Sequence, residues 1–74
     1  MTLKELPAGS VGQITNILGK GETTKRLMEM GVVPGVRVRV VKTAPFGDPM
    51  EIRLLGYNLA LRKNEAAAVE VEGQ

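Results

Sequence analysis

The sequence predicts a mainly β domain, a small barrel of about five short strands with one brief helix after the first. Three observations carry this. Apolar residues alternate with charged ones in Val36-Arg37-Val38-Arg39-Val40 and again in Met50-Glu51-Ile52-Arg53-Leu54. Such alternation marks a half-buried strand, because successive side chains point to opposite faces. Turn-forming residues recur between the apolar runs, at Pro34-Gly35, Pro45 to Pro49, Gly56-Tyr57-Asn58 and Asn64-Glu65. Only one stretch, Glu22 to Met30, has helical spacing, with Leu27 and Met30 at i, i+3.

Each element follows in order. Val11 to Leu18 carries Ile14, Ile17 and Leu18 and reads as the first strand. The helix comes next; Thr23 or Thr24 can cap it, and Gly31 suits the residue just past its end. Pro34-Gly35 fits a tight turn into the second strand, Val36 to Lys42. Met50 to Leu55 pairs with it as the central hairpin, and Leu59 to Arg62 forms the fourth strand. Ala67 to Glu72 closes the chain, with Val69 and Val71 facing opposite to Glu70 and Glu72. The alternation puts Val36, Val38, Val40, Ile52, Leu54, Leu59, Leu61, Val69 and Val71 inside. Arg37, Arg39, Glu51 and Arg53 then face water, where cross-strand charge pairs can form. Closure of the barrel is expected, since it removes exposed strand edges.

Pro45-Phe46-Gly47-Asp48-Pro49 is the most constrained segment. Each proline locks φ and lacks an N–H donor, so the pair should end ladder pairing on both sides. Gly47 is the residue expected to take positive φ, and Asp48 can accept bonds from nearby backbone N–H groups. A rigid surface loop on a small scaffold is where binding residues tend to lie. Phe46 is one of only two aromatic residues, and a turn tip suits it only if it folds back on the core or meets a partner.

Composition excludes much chemistry. The chain has 74 residues, a single domain over 1–74, with no cysteine and no histidine. The usual general base, thiol nucleophile and best transition-metal ligands are therefore missing. Ser10 is the lone serine, in a turn entering a strand, and Gly19-Lys20-Gly21-Glu22-Thr23-Thr24 lacks the spacing of a phosphate-binding loop. No enzymatic activity and no cofactor are expected. The formal charge is only +2, and Glu51, Glu70 and Glu72 interrupt the basic residues, which argues against nucleic acid. Two aromatics are also too few for base stacking. Met1-Thr2-Leu3-Lys4-Glu5 has no signal-peptide character, and no stretch approaches the ~20 apolar residues that cross a bilayer. A cytoplasmic location is expected, with membrane contact only indirect.

Four segments match a known family in order and spacing. They are Leu6-Pro7-Ala8-Gly9, Arg26-Leu27-Met28-Glu29-Met30-Gly31-Val32-Val33-Pro34-Gly35, Ala44-Pro45-Phe46-Gly47-Asp48-Pro49 and Leu59-Ala60-Leu61-Arg62-Lys63-Asn64-Glu65-Ala66. The chain resembles the ferrous iron transport protein A (FeoA) family along nearly its whole length. Phe46 and Met50 stand where that family more often has aliphatic residues. The resemblance implies an SH3-like barrel with an inserted helix. It also implies an accessory role beside FeoB, the Fe(II) permease with a cytosolic GTPase domain. The residues expected to meet that partner are Arg26, Leu27, Met28 and Met30 at the helix end, with Pro45, Phe46, Gly47, Asp48 and Pro49 in the loop.

Alternative readings attach to the same residues. Met30 shares the Leu27 face and suits core filling, whereas Met28 points about 100° away from Leu27. Leu27, Met28, Met50 and Phe46 could instead form one adaptable apolar patch. Arg26 can pair with Glu29 at i, i+3 or reach a barrel carboxylate such as Asp48. Glu65, Glu70 and Glu72 read as solvated charges, so a tight metal site within one monomer is not expected. A weak site, shared across a weak homo-oligomer, stays open. The alternative function is a regulatory SH3-like domain, related to the C-terminal domain of iron-dependent transcriptional repressors. The absence of a DNA-reading helix pair counts against a complete repressor.

Overall fold

A computed structural model describes residues 1–19 and 21–73, and at residue 47 the backbone element alone. Five antiparallel strands form one sheet: β1 (Val11–Ile17), β2 (Arg37–Thr43), β3 (Met50–Leu54), β4 (Tyr57–Leu61) and β5 (Val69–Gly73). Helix α1 (Glu22–Glu29) joins β1 to β2, and a single helical turn, α2 (Lys63–Ala66), joins β4 to β5. The strand order is β4-β3-β2-β1-β5, so the last strand returns to pair with the first. Five strands in this order around one core make the small SH3-like fold. The sheet is open rather than closed: β4 and β5 are its edges. α2 connects β4 to β5 and buries Ala66 in the core, and Thr2 bridges Glu70 on the free side of β5.

The expected alternation builds that core. Val38, Val40, Ile52, Leu54, Leu61, Val69 and Val71 are buried together with Ile14, Leu27, Val32 and Met50. Val36 and Leu59 are half-buried against it. A bulge interrupts β2, where Val40 faces Ile52 but Lys42 faces Glu51. Val41 is the extra residue, and it turns outward, which ends the inward run that Val36, Val38 and Val40 begin. Beyond the strands, a 3₁₀ turn over Leu3–Glu5 buries Leu3. The Thr2 backbone N–H donates to Glu5 Oε1 at 2.8 Å, and this bond holds the Glu5 carboxyl below the usual carboxylate range.

Some local expectations are met and others are displaced. Gly31 follows α1 with φ +92, as a C-terminal glycine should. A Cβ there would also lie 2.7 Å from Leu55 Cδ1, the end of an exposed side chain that can shift, so the backbone angle is the firmer reason for glycine. Neither threonine caps α1: Gly21 occupies that place, and Thr24 Oγ1 donates instead to the Leu18 carbonyl. The β3–β4 turn falls at Leu55-Gly56, one residue earlier than expected, with φ values of 50 and 85. Two successive positive φ values are those of a tight hairpin turn whose twist matches the strands. Across β2 and β3 the expected pairing of opposite charges is only half realised. Lys42 faces Glu51, but Arg39 faces Arg53.

Candidate partner-docking site

The proline-bracketed loop is positioned by the hairpin that it interrupts. β2 ends at Thr43 and β3 begins at Met50, so the prolines stand just outside the ladder. The Ala44 N–H donates to the Pro49 carbonyl at 2.9 Å and closes the loop at its base. The peptide bond between Asp48 and Pro49 is cis. Pro45–Gly47 forms a 3₁₀-like turn in which Phe46 has φ 69 and ψ 10. Phe46 is an aromatic residue, for which that left-handed region is uncommon. The φ expected of Gly47 lies outside the described residues. The Phe46 side chain is 97% exposed and does not fold back on the core.

The helix divides its residues among three environments. Leu27 is fully buried and Met30 half-buried, so both serve the core. Met28 is 47% exposed and lines an open depression with Gly21, Thr24 and Lys25. Arg26 lies about 200° round the helix from Met28 and reaches in another direction. Its Nη2 donates to Glu65 Oε2 on α2, and neither Glu29 nor Asp48 is its partner. Glu65 is only 5% exposed, which corrects its reading as a solvated charge. Its other oxygen, Oε1, accepts the Arg62 N–H at 2.8 Å, so both carboxylate oxygens are used.

The α2 turn connects the two elements. Asp48 Oδ1 accepts the Lys63 N–H at 3.2 Å, so the loop supplies an acceptor to the first turn of α2. The helix reaches the same turn through Arg26 and Glu65. The single apolar patch of Leu27, Met28, Met50 and Phe46 does not form, because Leu27 and Met50 are buried. What the structure offers instead is an exposed loop tip, a polar bridge through α2, and a separate apolar depression at Met28. Among the described residues, no cluster of three or more Asp and Glu side chains could hold a metal ion. Among them, too, no helix is long and apolar enough to cross a membrane.

Sequence reasoning missed α2 and its role as a bridge. The signal was faint: Glu65 stands three residues after Arg62, the spacing at which a side chain reaches back to an N-terminal N–H.

Comparison with known proteins adds the following. The FeoA domain model matches residues 1–73. The chain is 43% identical over 72 residues to the Fe(2+) transport protein A/Fe(2+) transporter FeoB fusion protein of Porphyromonas gingivalis. That match takes in 97% of the chain but only 8% of the fusion protein. An FeoA-like protein from Clostridium acetobutylicum has a solved structure with a TM-score of 0.91 and 36% identity, matched over 99% of this chain and 85% of that one. Stenotrophomonas maltophilia FeoA, solved with zinc and described as an SH3 domain protein, gives a TM-score of 0.87 at 33% identity. There the match covers 97% of this chain and 89% of the other. A manganese-dependent transcriptional repressor shares the fold alone, with a TM-score of 0.90 at 17% identity over 41% of its length.

Proposed function

The chain belongs to the FeoA family, and on that premise we propose that it is a non-enzymatic accessory of ferrous iron uptake that docks on the cytosolic part of FeoB. The observation that carries this is the fusion in Porphyromonas gingivalis, where an FeoA and an FeoB occupy one polypeptide. Fusion makes an encounter intramolecular and raises effective concentration, which is useful only to domains that meet. The docking residues are Phe46 at the loop tip, flanked by Pro45, Gly47, Asp48 and Pro49, with Met28 and Arg26 on α1 as a second contact. Leu27 and Met30 support the helix from below. Docking then biases the gating or nucleotide cycle of FeoB, and the protein works in the cytoplasm.

The solvent-exposed, left-handed Phe46 supports this reading. An aromatic ring in water at a backbone angle that disfavours it has no stabilising role in the isolated domain. The regulatory reading, in which the barrel binds a segment of a longer chain, is supported by likeness of fold alone. Calorimetric titration with the FeoB cytosolic domain, with and without GTP, tests the proposal. Saturable binding with an affinity on the order of micromolar is expected. Failure to bind in any nucleotide state would remove the proposal.

A further inference from the structure

The outward face of β2 and β3 carries a cleft that the loop and α1 do not line. Arg37, Arg39 and Arg53 line it beside Val11, Leu55 and Gly56, around a volume of about 230 Å³. The strand register sets Arg39 directly opposite Arg53, and like charges placed that way repel. Arg53 is held in place by neutral oxygens. Its Nη1 donates to Asn58 Oδ1 at 2.9 Å and its Nη2 to the Gly56 carbonyl at 3.1 Å. Asn58 is fixed in turn by donating to Glu51 Oε2 at 3.0 Å. The Arg39 side chain makes no hydrogen bond or ion pair among the described residues. Among those residues, no carboxylate lines the cleft either.

We propose that this cleft docks an acidic protein segment whose Asp or Glu side chains sit between Arg39 and Arg53. A planar guanidinium matches a carboxylate in bidentate geometry, and two like charges on neighbouring strands both gain from an anion that enters the cleft they line. The volume is below the roughly 300–1,000 Å³ of pockets that enclose whole small molecules, so it admits an anionic group and its stem. Val11 and Leu55, the latter 66% exposed, offer apolar contact to the rest of a peptide. An extended nucleic-acid backbone is a poorer occupant. Register puts Glu72 beside Gln13, and Gln13 beside Arg37, on this same face, with Glu51 two residues from Arg53. Those carboxylates would repel a continuous line of phosphates. The inference concerns the cleft itself and holds whether or not FeoB is the partner.

Titration of ¹⁵N-labelled protein at low salt with a capped hexapeptide carrying a single glutamate among neutral residues tests it, with inorganic phosphate and single-stranded oligothymidylate as the other arms. The Arg39 and Arg53 side-chain N–H signals and the Leu55 and Gly56 amides should move saturably with the peptide. Phosphate and oligothymidylate should move them far less at equal charge concentration. Arg39→Gln should weaken the peptide roughly tenfold. That variant also removes a like-charge pair, so its Tm should equal or exceed that of the parent. Unchanged peptide affinity in Arg39→Gln would overturn the proposal. So would shifts spread over the surface lysines, or a response to phosphate or oligothymidylate as strong as that to the peptide.

Discussion

At Phe46 a large aromatic ring stays in water, where it adds nothing to stability, on a left-handed backbone that costs free energy. For an L-residue other than glycine the left-handed region costs about 1–2 kcal/mol. Glycine would remove that cost while adding about 0.4–1 kcal/mol of unfolded-state freedom. Phe46→Gly is therefore expected to stabilise the fold by roughly 0.5–1 kcal/mol in urea unfolding. Phe46→Ala keeps the strained backbone and should leave stability nearly unchanged, so any loss of partner binding in it reports contact. A clear destabilisation by Phe46→Gly would mean that the ring supports the loop. Gly31 gives the opposite sign. Its positive φ makes Gly31→Ala destabilising, by about 1 kcal/mol, while the exposed Leu55 methyl beside the added Cβ can swing aside. Gly31 was legible in the sequence because it ends a helical pattern, which local rules recognise. The left-handed backbone at Phe46 was not, since no local rule assigns that region to an aromatic residue.

The α2 turn, four residues long, joins the candidate docking elements although it touches no proposed partner itself. Glu65 is nearly buried, with one oxygen on the Arg62 N–H and the other on Arg26. Glu65→Ala removes the turn's N-terminal acceptor and the cation's partner together, and should cost about 2–3 kcal/mol by thermal or urea unfolding. Arg26→Ala leaves a nearly buried carboxylate without its cation and should cost about 1–2 kcal/mol. The double variant should cost less than the sum of the two, because they break one shared contact. Strict additivity would show that Arg26 and Glu65 do not act as a pair. This element was hard to read beforehand for a physical reason. Four residues carry no periodicity, and the partner that buries Glu65 lies 39 positions away in the chain. Strands, by contrast, declare themselves locally through alternation, and β2, β3 and β5 fall close to their expected limits. The irregularities at Val41 in β2 and between Ile14 and Asn16 in β1 are exceptions, since an extra residue in a strand leaves no mark in an apolar-charged pattern.

On the scale of the whole molecule, the five-stranded sheet stays open between β4 and β5, which one helical turn connects, while Met1 and Thr2 pair with part of the free side of β5. The expectation of closure came from the hazard of exposed edges, and the molecule meets that hazard differently, with short edge strands. Metal chemistry is also decided at this scale. With neither histidine nor cysteine, and no cluster of three or more carboxylates among the described residues, anaerobic titration with Fe(II) or Zn(II) should reveal no monomer site tighter than about 10 μM. A stoichiometric submicromolar site would require ligands shared between copies, and would then appear as metal-dependent association.

The central claim is that the loop tip and the exposed side of α1 dock on FeoB. Its most direct test is the equilibrium affinity of the FeoB cytosolic domain for Phe46→Ala and Met28→Glu, each first shown to keep the parent's thermal stability. Loss of a central aromatic contact costs on the order of 2 kcal/mol, so Phe46→Ala should bind roughly thirtyfold more weakly, with Met28→Glu weakened in the same direction. Parent-like affinity in both folded variants would contradict the account.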